Sequence, residues 1–215
     1  ENANRFIKSK NGKINLSERV DRIEVGNNKI LMIVTENKSY SNFDFVIMAV
    51  SEYAAKKIMD NSDITLDLPE FEYSSILNVH LWLKENPFKE KFYGFIGSQI
   101  HWLFNHGKHI SLTTSSAENL INLESSEIIR HFCSEIELYF PIFKTEMVID
   151  SKVIKEKRAT FIPNIASTEK RKNLNWQVEN FLLAGDWTNT DLPATIESAV
   201  LSGKIAALQV ISSLK

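Results

Sequence analysis

Two short apolar runs constrain the fold of this chain more than any other feature. Phe45-Val46-Ile47-Met48-Ala49-Val50 contains no polar residue, and Phe181-Leu182-Leu183-Ala184 is a second, shorter run. The first does not alternate, which is the pattern of a strand buried on both faces of a parallel sheet flanked by helices. Each run leads into a helical pattern. After the first, Ser51 stands as an N-cap, with Ala54, Ala55, Ile58 and Met59 at helical spacing. After the second comes a polar loop, Gly185 to Asp191, and a helix opening at or just after Pro193, a residue tolerated in a first helical turn. Ile196, Ala199, Val200, Gly203, Ala206, Ala207, Val210 and Leu214 then predict a narrow stripe of small residues packed on a sheet.

The segments between these runs predict a second kind of structure. Residues 13 to 50 read as β, with Gly26-Asn27-Asn28 as a turn before Ile30 to Val34. Ser39 to Asp44 is merely polar. Residues 61 to 71 form a linker ending at Pro69. Strands follow at Ile76 to Leu83, Phe92 to Ile96, Trp102 to Phe104 and Ile110 to Thr114. Ser116 to Phe140 is expected as helix, broken near Asn122 and ended by Pro141. Val148 to Phe161 is strand-like. Residues 163 to 180 are expected as a long surface loop, with Glu169-Lys170-Arg171-Lys172 as a solvated charge run. The fold class expected is α/β with an α+β insertion.

Composition narrows the partners. The chain has 215 residues, 25 basic and 27 acidic, for a net charge of -2. That balance carries no bulk attraction for nucleic acid. The apolar runs are far shorter than the roughly 20 residues of a spanning helix. No basic stretch followed by an apolar run opens the chain, so no signal peptide is expected. Cys133 is the only cysteine, and its helical position predicts a core thiol. His101, His106 and His109 flank Gly107 at a hairpin tip, which would send their side chains to different faces, so no metal is expected. The chain has no Gly-x-Ser-x-Gly elbow and no phosphate-binding P-loop. Of its 7 glycines, no three have the Gly-x-Gly-x-x-Gly spacing that holds a dinucleotide pyrophosphate.

By local pattern alone, Gly185, Asp186 and the following helix start support two readings. One is an anion site, because first-turn amides are unsatisfied and the helix dipole favours negative charge. The other is a plain strand-turn-helix connection with Asp186 capping it. The stretch from Phe181 to Gly203, FLLAGDWTNTDLPATIESAVLSG, resembles the C-terminal flavin motif of the amine oxidase and phytoene desaturase superfamily. Within that superfamily it is most similar to the squalene-associated FAD-dependent desaturases, the hydroxysqualene dehydroxylases. Asp191 and Ser198 stand where that family usually has glycine. Lys155 to Phe161, Trp102 to Phe104 and Val79 to Trp82 also resemble family segments.

The resemblance covers about residues 10 to 215 and implies the C-terminal half of such an enzyme. It implies FAD as cofactor, with Gly185 and Asp186 at the pyrophosphate and ribityl part. Ala194, Thr195 and Ile196 would turn backbone amides to the flavin ring, and Val20 would pair with adenine. Residues 1–60 and 150–215 would belong to a partial FAD-binding, Rossmann-like domain. Residues 61–149 would form an antiparallel-sheet substrate domain. The implied substrate is a long apolar isoprenoid such as hydroxysqualene, reduced to squalene, with Trp82 and Trp102 as wall or core. No side chain is assigned as the acid of that reaction; Glu197 lies nearest by motif and is equally a first-turn helix acid. Ala49-Val50-Ser51 replaces the Ala-Pro that often ends the family's strand. The glycine turn would come from an N-terminal half, in the same or a separate chain. A carotenoid-type desaturase, an amine oxidase and a non-catalytic assembly subunit are the alternatives. The expected location is the cytoplasm, with peripheral membrane contact.

Overall fold

Asn27 and Asn28 form the turn their sequence predicts. In the computed structural model both have positive φ, 52° and 57°. Two such residues match the twist of flanking antiparallel strands. They join β1 (Val20–Gly26) to β2 (Lys29–Thr35). The structure describes residues 2–64, 67–68, 70–174 and 176–214. The linker proline expected at position 69 lies outside the described residues. The chain divides into two units, Glu1–Glu70 with Asn164–Lys215, and Phe71–Pro163. The break expected at 149/150 therefore moves to 163/164. The strand there runs unbroken through the expected boundary and pairs within the second unit.

In the first unit, α1 (Asn2–Ser9) buries no residue, and residues 13 to 19 form no strand, contrary to the expected β structure. β3 (Ser39–Ser41) adds to β2 as a third antiparallel strand where only polar sequence was expected. The apolar runs become β4 (Val46–Ala49) and β10 (Phe181–Ala184), paired in parallel from Val46↔Phe181 to Ala49↔Ala184. Burial on both faces of β4 is not found: Val46 and Met48 are buried, but Ile47 is 42% exposed. Ile47 lines an open cleft together with Tyr53, Ala54 and Ile58 of the helix that follows. Ser51 caps α2 (Glu52–Asp60), accepting from the Ala54 amide.

The loop expected at 163 to 180 holds a helix, α4 (Ile165–Lys172). A reciprocal cap between Asn164 and Ser167 starts it, so a short polar segment becomes helical without an apolar stripe. α5 (Ile196–Ser213) is capped by Thr195. Of the small-residue stripe expected to face the sheet, Ala206 turns inward and most of the rest does not. The buried side carries Ser198, Ser202 and Ala206, while Ile196, Val200 and Leu214 are exposed. The serine hydroxyls face backbone groups of the preceding loop, and their hydrogen bonds outweigh the apolar alternative.

The second unit is one antiparallel sheet in the order β6 (Phe92–Gly94), β7 (Trp102–Asn105), β8 (His109–Ser115), β5 (Glu72–Leu83), β9 (Val148–Ile162). Leu77, Val79, Leu81 and Leu83 of β5 turn to one face by strict alternation. They form a core with Ile128, Phe132, Cys133 and Ile136 of α3 (Ser125–Tyr139). The helix starts later than the expected Ser116; residues 117 to 124 form turns that still bury Ala117, Leu120 and Ile121. It stops before Pro141, as expected. No helix among the described residues is long and apolar enough to cross a membrane.

Candidate functional site

The loop after β10 is fastened from behind. Gly185 adopts φ +155°, and a Cβ there would lie 2.4 Å from the indole Nε1 of Trp187. Only glycine leaves room for that fully buried ring. Trp187 Nε1 donates to the Val50 carbonyl at the end of β4, 2.8 Å away. The Gly185 amide donates to Ser202 Oγ at 2.8 Å. Ser198 Oγ donates to the Asp186 carbonyl at 3.2 Å, and the Ser198 amide donates to Thr195 Oγ1 at 3.2 Å. One residue thus ties Asp186 to the start of α5. Both departures from the family pattern have a local account. Ser198 uses its hydroxyl in this network, and Asp191 keeps a positive φ of 57°, a conformation a short polar side chain tolerates.

Arg171, expected in a solvated charge run, is the centre of this loop. It is buried, and its guanidinium donates to the carbonyls of Asp186, Trp187, Thr188 and Leu192 at 2.9 to 3.2 Å. Burial lowers its pKa, while the nearby charges of Asp186 and Asp191 act in the opposite direction. The missed signal is the pair Ser167 and Arg171, four residues apart and so on one helical face. Of the expected cofactor residues, Gly185, Asp186, Ala194, Thr195 and Ile196 belong to this strand-loop-helix. Ile196 is 87% exposed at its open end. Val20 stands elsewhere in the same unit. It opens β1 opposite Thr35 and lines a cleft of about 450 Å³ with Met48, Ala49, Tyr53 and Ile58. Glu197, in the first turn of α5, is exposed.

In the second unit, Trp82 and Trp102 lie on the sheet face opposite α3. Cross-strand register places Trp82 beside His109, His80 beside Ser111, and Trp102 beside Thr113. Trp102 is 44% exposed, and Phe104 and Phe92 continue the aromatic surface. Neither tryptophan belongs to the core. The histidines at the hairpin do not splay as expected: His106 and His109 stack at 4.8 Å, and His80 joins them from β5. His101 lies apart, accepting from the Ser115 amide. Among the described residues no group of three potential ligands forms a metal site. Cys133 is fully buried, and burial pushes its thiol up to about 11, with Glu137 adding to the shift. It is a core thiol, too poorly ionised at neutral pH to act as a nucleophile.

The family model for flavin-containing amine oxidoreductases matches residues 2–211. The chain belongs to that family. The family is one of flavin-containing oxidoreductases, and FAD is its cofactor. It is 28% identical over 204 residues to hydroxysqualene dehydroxylase of Zymomonas mobilis, covering 94% of this chain and 48% of that protein. It is 32% identical over 170 residues to the enzyme of the same name from Rhodopseudomonas palustris, covering 79% of this chain and 39% of that protein. Cyclohexylamine oxidase of Brevibacterium oxydans shares the fold, with a TM-score of 0.64 at 14% identity over 91% of this chain and 48% of that one. The chain spans about half the length of the curated relatives it matches.

The loop fits the polar part of such a cofactor. The Asp186 backbone is held from behind, and the first turn of α5 lies open. An open helix N-terminus with an adjacent carboxylate suits amide-to-oxygen and carboxylate-to-hydroxyl contacts.

Proposed function

We propose that this chain is the C-terminal portion of a flavin-dependent enzyme that reduces hydroxysqualene to squalene. The supporting observation is the fastened strand-loop-helix of Gly185, Asp186 and Thr195 in a chain whose relatives carry the name hydroxysqualene dehydroxylase. The first unit is the C-terminal share of a Rossmann-like FAD domain. In it Gly185 and Asp186 take the cofactor's pyrophosphate and ribityl part, Ala194 to Ile196 offer amides to the ring, and Val20 meets the adenine. The second unit holds the isoprenoid. Its aromatic face offers Trp82, Trp102, Phe104 and Phe92 as a wall that binds by excluding water.

When bound and reduced, the flavin supplies hydride; the protein orients the allylic carbon and keeps water away. The Gly-x-Gly-x-x-Gly turn comes from the other half of the enzyme, in the same or a separate chain. The working location is the cytoplasm, with contact at the membrane surface where a water-insoluble substrate resides.

The test joins or co-expresses this chain with the half bearing that turn and loads the protein with FAD. The reduced enzyme is mixed anaerobically with hydroxysqualene. Squalene and oxidised flavin in equal amounts support the reading. Oxidation of a small amine with no reaction toward hydroxysqualene overturns it.

A further inference from the structure

Arg171 holds the loop after β10 by its carbonyls alone. The guanidinium donates to the oxygens of Asp186 at 2.9 Å, Trp187 at 3.2 Å, Thr188 at 3.0 Å and Leu192 at 3.1 Å. Among the described residues no peptide bond is cis. Each planar unit that turns its oxygen toward the guanidinium therefore turns the next N–H away from it. Three of the four units carry such an N–H, on Trp187, Thr188 and Asn189; the fourth leads into Pro193, which has none. The Thr188 amide is taken by the Gly185 carbonyl at 3.1 Å. The Trp187 and Asn189 amides have no hydrogen-bond partner among the described residues. Two backbone donors are thus left facing away from Arg171.

The bonds from Arg171 are charge-assisted. A carbonyl bound to a cation polarises its peptide unit and strengthens the N–H at the other end as a donor. The guanidinium so passes part of its positive field through the loop to the two amides. Unpartnered amides of this kind call for an acceptor, and an anionic oxygen suits them best.

We propose that Arg171 is a positioning residue for the cofactor, holding the loop so that the Trp187 and Asn189 amides donate to its phosphate oxygens. This rests on the reading above that the Gly185 loop takes the polar part of FAD. Arg171 acts through the peptide units rather than by contact, since its Nε and Nη2 are occupied with carbonyls. A cavity of about 290 Å³ reaches it between Thr168, Lys172, Asn189 and Leu192. That cavity gives a small cation a route to the place of the guanidinium.

The experiment uses the complete enzyme, this chain joined to the half bearing the glycine turn. In wild type, loading with FAD shifts the nitrogen-15 amide resonances of Trp187 and Asn189. Titration of the flavin-free protein gives the affinity. Arg171→Ala and Arg171→Gln weaken FAD about 100-fold, the size expected for two hydrogen bonds to a charged group. Arg171→Lys, which keeps the charge without the fork, weakens it about 10-fold. In each variant saturated with FAD, the phosphorus-31 resonances of the bound cofactor move while the flavin absorbance does not. Methylguanidinium restores affinity and resonances to Arg171→Ala, and methylammonium does not.

Variants with wild-type affinity overturn the proposal. So do weakened variants whose phosphorus resonances stay in place, and rescue by methylammonium as good as that by methylguanidinium. A wild-type enzyme that binds FAD without moving either amide overturns it with no variant needed, and leaves the dehydroxylase reading standing. Wild type that moves both amides but ignores hydroxysqualene overturns that reading and leaves the proposal in place. A complete enzyme that binds no FAD overturns both.

Discussion

α3 has one distinct apolar face whereas α5 carries apolar residues nearly all round, and the two units use them in opposite ways. α3 turns Ile128, Phe132 and Ile136 fully inward. α5 turns two serines and an alanine inward and leaves Ile196 87%, Val200 62% and Leu208 52% exposed. The second unit closes its core with its own residues. The first spends the buried side of its helix on fastening a loop and keeps apolar surface outward. Apolar surface of that extent marks a place where something else packs.

The comparison predicts unequal costs of substitution. Phe132→Ala should destabilise the protein by about 3–5 kcal/mol, as for a large core aromatic. Val200→Ala should stay within about 0.5 kcal/mol, as for a surface site. Urea unfolding measures both, and similar losses would erase the distinction between the helices. Arg171→Ala comes next. It leaves buried carbonyls without a donor, at about 2–3 kcal/mol. Hydrogen exchange should rise in residues 184–192 and stay unchanged in β5 and β8. Lysine at that position should recover only part, because a point charge cannot reproduce the guanidinium fork.

Gly185→Ala should cost about 1–2 kcal/mol, a typical strain penalty. Trp187 fluorescence should shift as the indole is displaced; an unmoved spectrum would mean that the loop absorbs the methyl elsewhere. The smallest effect concerns pH. With its thiol held up to about 11, Cys133 favours the folded state while protonated. Its contribution is complete below the ordinary thiol range of about 8.5 and is lost as pH rises toward the raised value. Alkylation at pH 8 should run about 200-fold slower than for an unperturbed thiol, from the thiolate fractions alone. Rapid labelling would show that the α3 core opens readily.

Elements whose pattern coincides with their burial were legible in the sequence. β5 alternates cleanly because one face meets α3, the paired asparagines announce their turn, and Ser51 announces a cap. α1, β3 and α4 were not legible. α1 buries nothing, β3 is a polar edge, and α4 is held by a two-residue cap rather than an apolar stripe. The orientation of α5 was misread for a more general reason. Helical spacing shows which residues share a face, whereas tertiary hydrogen bonds decide which face turns inward. Ser198 Oγ reaches the Asp186 carbonyl, and Ser202 Oγ accepts from the Gly185 amide, because that loop lies beside them. The histidine stack needed tertiary information too, since His80 and His109 come from different strands.

The discontinuity of the first unit also sets an order of events during synthesis. Residues 71–163 form an uninterrupted unit and can fold once they leave the ribosome. The first unit has to wait. Its strand β4 gains β10 only after residue 184 has emerged, and the Asn180 side chain must travel back to the Ile30 amide. The last closure, from Trp187 to Val50, spans 137 positions. Until then the apolar segment around Val46 to Met48 is newborn, unpaired and dependent on whatever shields it in the cell.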